Sequence, residues 1–184
     1  MNRIKKYPIS GLLPLIFALW APTGFGENVE VAINSVVIIN SPNQNAVHML
    51  AIPDLGLPDT TLMIDRAILS AEILPQTQDT TTFISIRLHP ITTNWDSANV
   101  GWNNPWTEPG GDYDQIHYGE FLVTDVGNQQ VELDITSLLI RWTDGRLPYY
   151  GFLVKISRSS IDQFTLVRNG NNPYATLNIH YSVY

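Results

Sequence analysis

The chain has 184 residues, 44% of them hydrophobic, no cysteine, and 10 basic against 17 acidic side chains. That composition suits one ordinary globular domain. The missing cysteines exclude disulfides, a thiol nucleophile and zinc–thiolate chemistry, and the acidic balance repels phosphate backbones, which argues against nucleic acid as a partner.

The first 26 residues differ from the remainder. Arg3, Lys5 and Lys6 precede the apolar run ISGLLPLIFALWA, and Gly24 and Gly26 then supply small residues. That order predicts a secretory signal peptide over 1–26, hence a secreted or extracytoplasmic protein. The run is short for a membrane anchor and Pro14 interrupts it, so no stable span is expected after processing. The domain that remains, 27–184, carries 7 basic against 17 acidic side chains, a formal charge of −10. Without disulfides its stability must come from its core.

Beyond the leader, apolar residues recur with period two between Pro, Gly, Asn and Asp, the pattern of short strands. Strands are expected loosely at 29–40, then at 45–52. The segment 61–74 has a helix-compatible composition, but β-branched Thr61, Ile64, Ile68 and Ile73 favour a strand there. TFISIRLH (82–89) alternates cleanly, with Phe83, Ser85 and Arg87 on one face and Ile84, Ile86 and Leu88 on the other. Further strands are expected at 119–124, 129–135, 149–157, 163–168 and 174–183. One segment, DITSLLIRWTDG, breaks the rule. Thr136 can cap a helical turn, Leu138 and Leu139 share a face with Trp142, and Gly145 suits the left-handed position past the end. A short helix near 137–143 is expected to close one end. About nine strands and one helix predict an all-β, jelly-roll-like antiparallel β-sandwich in a single domain.

The order of motifs carries a resemblance. An apolar strand, RAILSAEILP (66–75), is followed by Trp95, then Trp102-Asn103-x-Pro105. Next come Asp134-Ile135-Thr136 and a helix with Trp142, a glycine-containing strand YYGFLVKIS, and a closing YATLNIHY. This succession, over roughly residues 60 to 183, resembles the DNRLRE domain family, whose members include alginate-type carbohydrate-binding modules. The resemblance implies an exported jelly-roll sandwich in which Trp95 and Trp102 are frame residues. The chain departs from the family between the two tryptophans, where the pattern W-x-E…T-W meets Ser97 at the acidic position and Gly101 at the threonine position, and in its amino-terminal part.

Candidate ligand contacts follow from residue chemistry. Trp95, Trp102 and Trp142 are expected in the core, because large aromatics supply buried area. Trp106 follows Asn-Asn-Pro in loop-like sequence and is expected to be exposed, where it could stack on a sugar, the alternative being a rim residue that covers the sandwich end. The loop TEPGGDYDQIHY (107–118) holds Tyr113 and Tyr118 as further aromatic contacts. Its Glu108, Asp112 and Asp114 are candidate calcium ligands, since calcium takes hard oxygens, although the spacing does not match the helix–loop–helix signature. Arg87, Lys155 and Arg168 would line a cationic groove for uronic carboxylates if strand order brings them together. If it scatters them, they are ordinary surface charges. The four histidines lie far apart in sequence, and no nucleophile-elbow, zincin or P-loop motif is present.

The expected function is therefore a secreted, non-catalytic carbohydrate-binding module recognising an extracellular polysaccharide or cell-surface glycan. The alternative is a structural or adhesive component of the cell envelope or extracellular matrix, with envelope or matrix proteins as partners. A small polysaccharide-degrading enzyme stands third.

Overall fold

The computed structural model describes residues 26–42, 46–58, 61–75, 84–123, 129–156, 164–166 and 173–183. The expected leader falls outside them except for Gly26, which opens the first strand. Two antiparallel sheets make up the described domain. One sheet runs β1 (Gly26–Ile33), β10 (Ala175–Val183), β4 (Leu62–Pro75), β7 (Gln129–Asp134), with β9 (Phe164–Leu166) pairing the far end of β4. The other runs β2 (Val37–Asn40), β3 (Val47–Ala51), β8 (Phe152–Ile156), β5 (Ile84–Pro90), β6 (Gly119–Val123). The chain crosses between the layers after β1, β3, β4, β6, β7 and β8, a jelly-roll-like path. The expected loose strand at 29–40 is in fact two strands, because residues 34–36 carry the chain from one sheet to the other.

Alternation explains the main core. Val31, Ile33, Ile64, Leu69, Val131, Leu133, Leu177 and Ile179 face Ala51, Ile86, Leu88 and Phe152 across the two sheets. At about 25 cal/mol per Å² of apolar surface removed from water, such contacts supply most of the driving force for folding. Helix α1 (Thr136–Thr143) seals one end by burying Leu138, Leu139 and Trp142, and the Trp142 ring meets Tyr149 edge-on at 5.0 Å. Thr136 does not cap this helix: the N-cap is Ile135, with no side-chain cap bond. Thr136 instead sits in the first turn, where its hydroxyl accepts from the Ala67 N–H at 2.9 Å and donates to Asp134 at 2.6 Å. Those bonds pin the helix start to β4 and β7. The Asp-Ile-Thr motif is thus a joint between sheet and helix.

A second, smaller core lies on the opposite face of the β2–β3–β8–β5–β6 sheet. There Ile39, Leu50 and Leu153 are covered by Ile91, Trp95 and Trp106 from the long 91–118 connection between β5 and β6. Leu50 and Leu153 are fully buried although their strand neighbours Ala51 and Phe152 are buried on the other side. Strands buried on both faces lose the polar half of their alternation, which is why β3 and β8 read as apolar runs.

Candidate functional site

The 91–118 connection covers only part of that outer face, and the uncovered part gathers most of the polar chemistry. Register fixes a row of four side chains across the sheet: His48 on β3 lies opposite Lys155 on β8, Lys155 opposite Arg87 on β5, and Arg87 opposite Glu120 on β6. Arg87 Nε donates to Glu120 at 2.8 Å, and the Ser85 hydroxyl donates to the same carboxylate at 2.9 Å. These two donors hold the Glu120 carboxyl below its usual range. Lys155 and Arg87 are exposed. Lys155 Nζ donates to the Tyr113 hydroxyl at 3.1 Å and lies 5.6 Å from the centre of its ring, within cation–π range.

Aromatic rings border this row. The His48 ring packs 5.0 Å from Trp102 and 6.0 Å from Tyr113, and the His89 ring lies 4.9 Å from Tyr113 and 6.1 Å from His117. His48 and His89 are buried, each 4% exposed. Each uses one ring nitrogen to hold the overlying loop: His48 Nδ1 donates to the Gly110 carbonyl at 2.6 Å and His89 Nδ1 to the Asp114 carbonyl at 2.9 Å. A carbonyl only accepts, so the proton resides on Nδ1 and the neutral ring keeps a bare lone pair on Nε2. Burial pushes both imidazoles below the usual histidine range; the carbonyl bonds oppose the shift and the Lys155 charge adds to it. His89 Nε2 is buried without a hydrogen-bond partner. Gly110 must be glycine here. Its φ is +95°, and a Cβ would stand 3.0 Å from Trp102 and 3.1 Å from His48.

The tryptophan segment behaves differently from expectation at two of its three rings. Trp95 is buried as expected, its N–H donating to the Tyr150 carbonyl at 2.8 Å. Trp106, expected exposed, is 7% exposed and donates to the Gly101 carbonyl at 2.8 Å. Trp102, expected in the core, is half-buried at the rim of the smaller core beside His48. The turn at 96–99 and the Gly101–Asn104 bridge fold this segment back on itself, so strand alternation does not decide which rings are buried. Asp96 accepts the Ala98 N–H through its carboxylate and the Val100 N–H through its carbonyl, so Trp102 comes out towards solvent and Trp106 folds back underneath. Trp106 is a pillar, not a platform.

The remaining candidates divide. Tyr113, Arg87 and Lys155 meet on the outer face. Tyr118 does not join them: its hydroxyl takes a hydrogen bond from Arg141, whose guanidinium lies 5.9 Å from its ring centre. Arg168 lies outside the described residues. Asp112 is occupied as a loop clamp, accepting from the Thr93 hydroxyl, the Thr107 N–H and hydroxyl, and the Glu108 N–H. Burial pushes this carboxyl up, but those bonds outweigh it and bring it down to about 2. Asp114 accepts the Ile116 N–H, and the Glu108 side chain is exposed. No three His, Asp or Glu side chains converge on a cation position among the described residues.

Sequence reasoning missed His48, His89, His117 and Glu120. Apart from His117 and Glu120, which are three residues apart, they stand 28 to 72 residues from one another and only the tertiary fold brings them together. One signal was available: His48 and His89 alternate with apolar residues inside strands, where a polar side chain must find a partner when buried. The face as a whole offers two half-buried rings, two cations in register and a set of buried imidazoles. No family model matches this chain, and no curated protein matches it in sequence.

Proposed function

We propose that this domain is a non-catalytic carbohydrate-binding module, exported from the cytoplasm, that binds an extracellular polysaccharide carrying carboxylate groups on the outer face of the β2–β3–β8–β5–β6 sheet. One observation carries the reading: Lys155 and Arg87 stand directly opposite each other beside Tyr113, with Trp102 at the rim. Rings of this kind stack on the C–H faces of sugars, with about 0.5–1.5 kcal/mol for an aromatic contact. Arg and Lys heads pair with uronic carboxylates through charge-assisted hydrogen bonds. Because the net charge of the domain repels polyanions, a local cationic pair is what such a ligand needs. The resemblance of the motif order to DNRLRE domains supports the same reading.

The test is affinity electrophoresis and calorimetry against neutral and uronic polysaccharides at two salt concentrations. Retardation by a uronic polymer, weakened by salt and by Lys155→Ala, is the expected result. Absence of binding across the panel would overturn it. A second reading, a structural or adhesive envelope component, is favoured by exposed isoleucines of the same sheet: Ile38 on edge strand β2 is 56% exposed, and Ile52, just past the end of β3, is 47% exposed. Self-association without glycan binding would select it.

A further inference from the structure

Two histidines far apart in sequence, His48 and His89, pack against Tyr113, and a third, His117, packs against His89. That convergence has a chemical consequence for a face that binds anions. His48, at one end of the row, and His89, beside Arg87 on β5, are both buried, each with its Nδ1 proton committed to a loop carbonyl, which leaves Nε2 as the position that accepts a proton; His89 Nε2 has no hydrogen-bond partner. The charged groups facing them come from every neighbouring element. Lys155 comes from β8 and acts on both rings. Arg87 from β5 and Glu120 from β6 are already paired with each other. From the overlying loop come Tyr113, bonded to Lys155, and His117, which lies 3.7 Å from Glu120. Asp112 and Asp114 in the same loop spend their carboxylates on loop donors. Among the described residues, no carboxylate forms an ion pair with either buried ring, and the charges that act on the rings are cationic.

We propose that binding of an anionic ligand at this face is proton-coupled: a carboxylate seated over Lys155 and Arg87 supplies the missing counter-charge, and the His48–His89 pair takes up a proton on Nε2 as the ligand binds. The step is a simple protonation, the proton coming from solvent and no other bond changing. It rests on the reading of this face as a glycan-binding surface. A neutral sugar does the reverse. It removes water from the rings without offering charge, which favours the neutral imidazole. Linkage makes the effect measurable, because each proton taken up raises affinity about tenfold per unit fall in pH.

The experiment is calorimetry with oligomers of mannuronate, guluronate and galacturonate between pH 5 and 7.5, in pairs of buffers with different ionisation enthalpies. The methyl ester of a binding oligomer serves as the uncharged comparison. The expected result is net proton uptake with the acid, affinity rising as pH falls, and no uptake with the ester. His48→Asn and His89→Asn keep a donor near the Nδ1 position and cannot be protonated, so uptake should shrink in each. Should either variant fail to fold, imidazole chemical shifts of the unmodified protein, followed by pH titration with and without ligand, give the same reading. If acid and ester bind with the same heat in every buffer, the coupling is absent and the proposal falls, while the binding reading survives. Uptake abolished by His117→Asn but kept in both other variants also overturns it, by placing the proton on the exposed ring. No heat with any of the three oligomers defeats the anionic-ligand reading itself.

Discussion

Replacing Trp106 with alanine is the sharpest test of the covered outer face. A tryptophan side chain buries about 200 Å², and at about 25 cal/mol per Å² complete burial is worth about 5 kcal/mol as an upper bound. Trp106 is 7% exposed, so nearly all of that applies, and its loss also leaves the Gly101 carbonyl without its donor, for about 1 kcal/mol more. Partial collapse of Ile39, Leu50, Ile91 and Leu153 into the space recovers some of it. The net expectation is about 3–5 kcal/mol, as for other large aromatic truncations. Trp102→Ala removes a half-buried ring and should cost about 2 kcal/mol. The assay is urea unfolding followed by far-ultraviolet circular dichroism, since fluorescence changes with tryptophan content. With a slope of about 2 kcal/mol per M, the two variants should lower the midpoint by about 2 M and about 1 M. An equal or larger loss at Trp102 would refute the assignment of Trp106 as the pillar and Trp102 as the rim.

Further expectations concern the loop, the strand start and the buried rings. Asp112→Ala should loosen the 107–118 loop, seen as faster amide exchange at Thr107 and Glu108. Because the folded carboxyl is held at about 2 against an ordinary 3.8, its contribution is complete above pH 3.8 and lost as pH falls towards 2, which acid titration of wild type against the variant would detect. Gly151→Ala should abolish the native packing of β8: φ is +79° and a Cβ would stand 2.1 Å from the Ala51 carbonyl oxygen, so a soluble variant of unchanged midpoint would contradict it. His48 and His89 have folded pKa values below the unfolded 6.5, so the unfolded chain binds more protons. Stability should therefore decline as pH drops below 6.5, and less steeply in His48→Asn and His89→Asn, measured as midpoint against pH. Lys155→Ala should weaken uronate binding and flatten its salt dependence in calorimetry, whereas an unchanged salt slope would remove Lys155 from the contact.

Local sequence carried the layers but not their faces. Period-two alternation in β5 and β7 and the leucine–tryptophan spacing in α1 are properties of a few adjacent residues, so strand and helix were legible from them. The burial of Trp102 and Trp106 was not, because it depends on how the Asp96 turn and the Gly101–Asn104 bridge fold the loop back on itself. Likewise Arg87 and Lys155 sit 68 positions apart, and nothing in either neighbourhood states that β5 and β8 are partners.

What the amino-acid order determined by itself was therefore an all-β chain with one sealing helix, since backbone preference and side-chain alternation act over a few residues. What the tertiary structure decided was which rings became pillars and which reached the surface. It also decided that His48, Lys155, Arg87 and Glu120 form one row. Strand pairing is a long-range choice, set by burying both faces of the β3 and β8 strands at once, and the site exists only where that choice leaves part of a face uncovered.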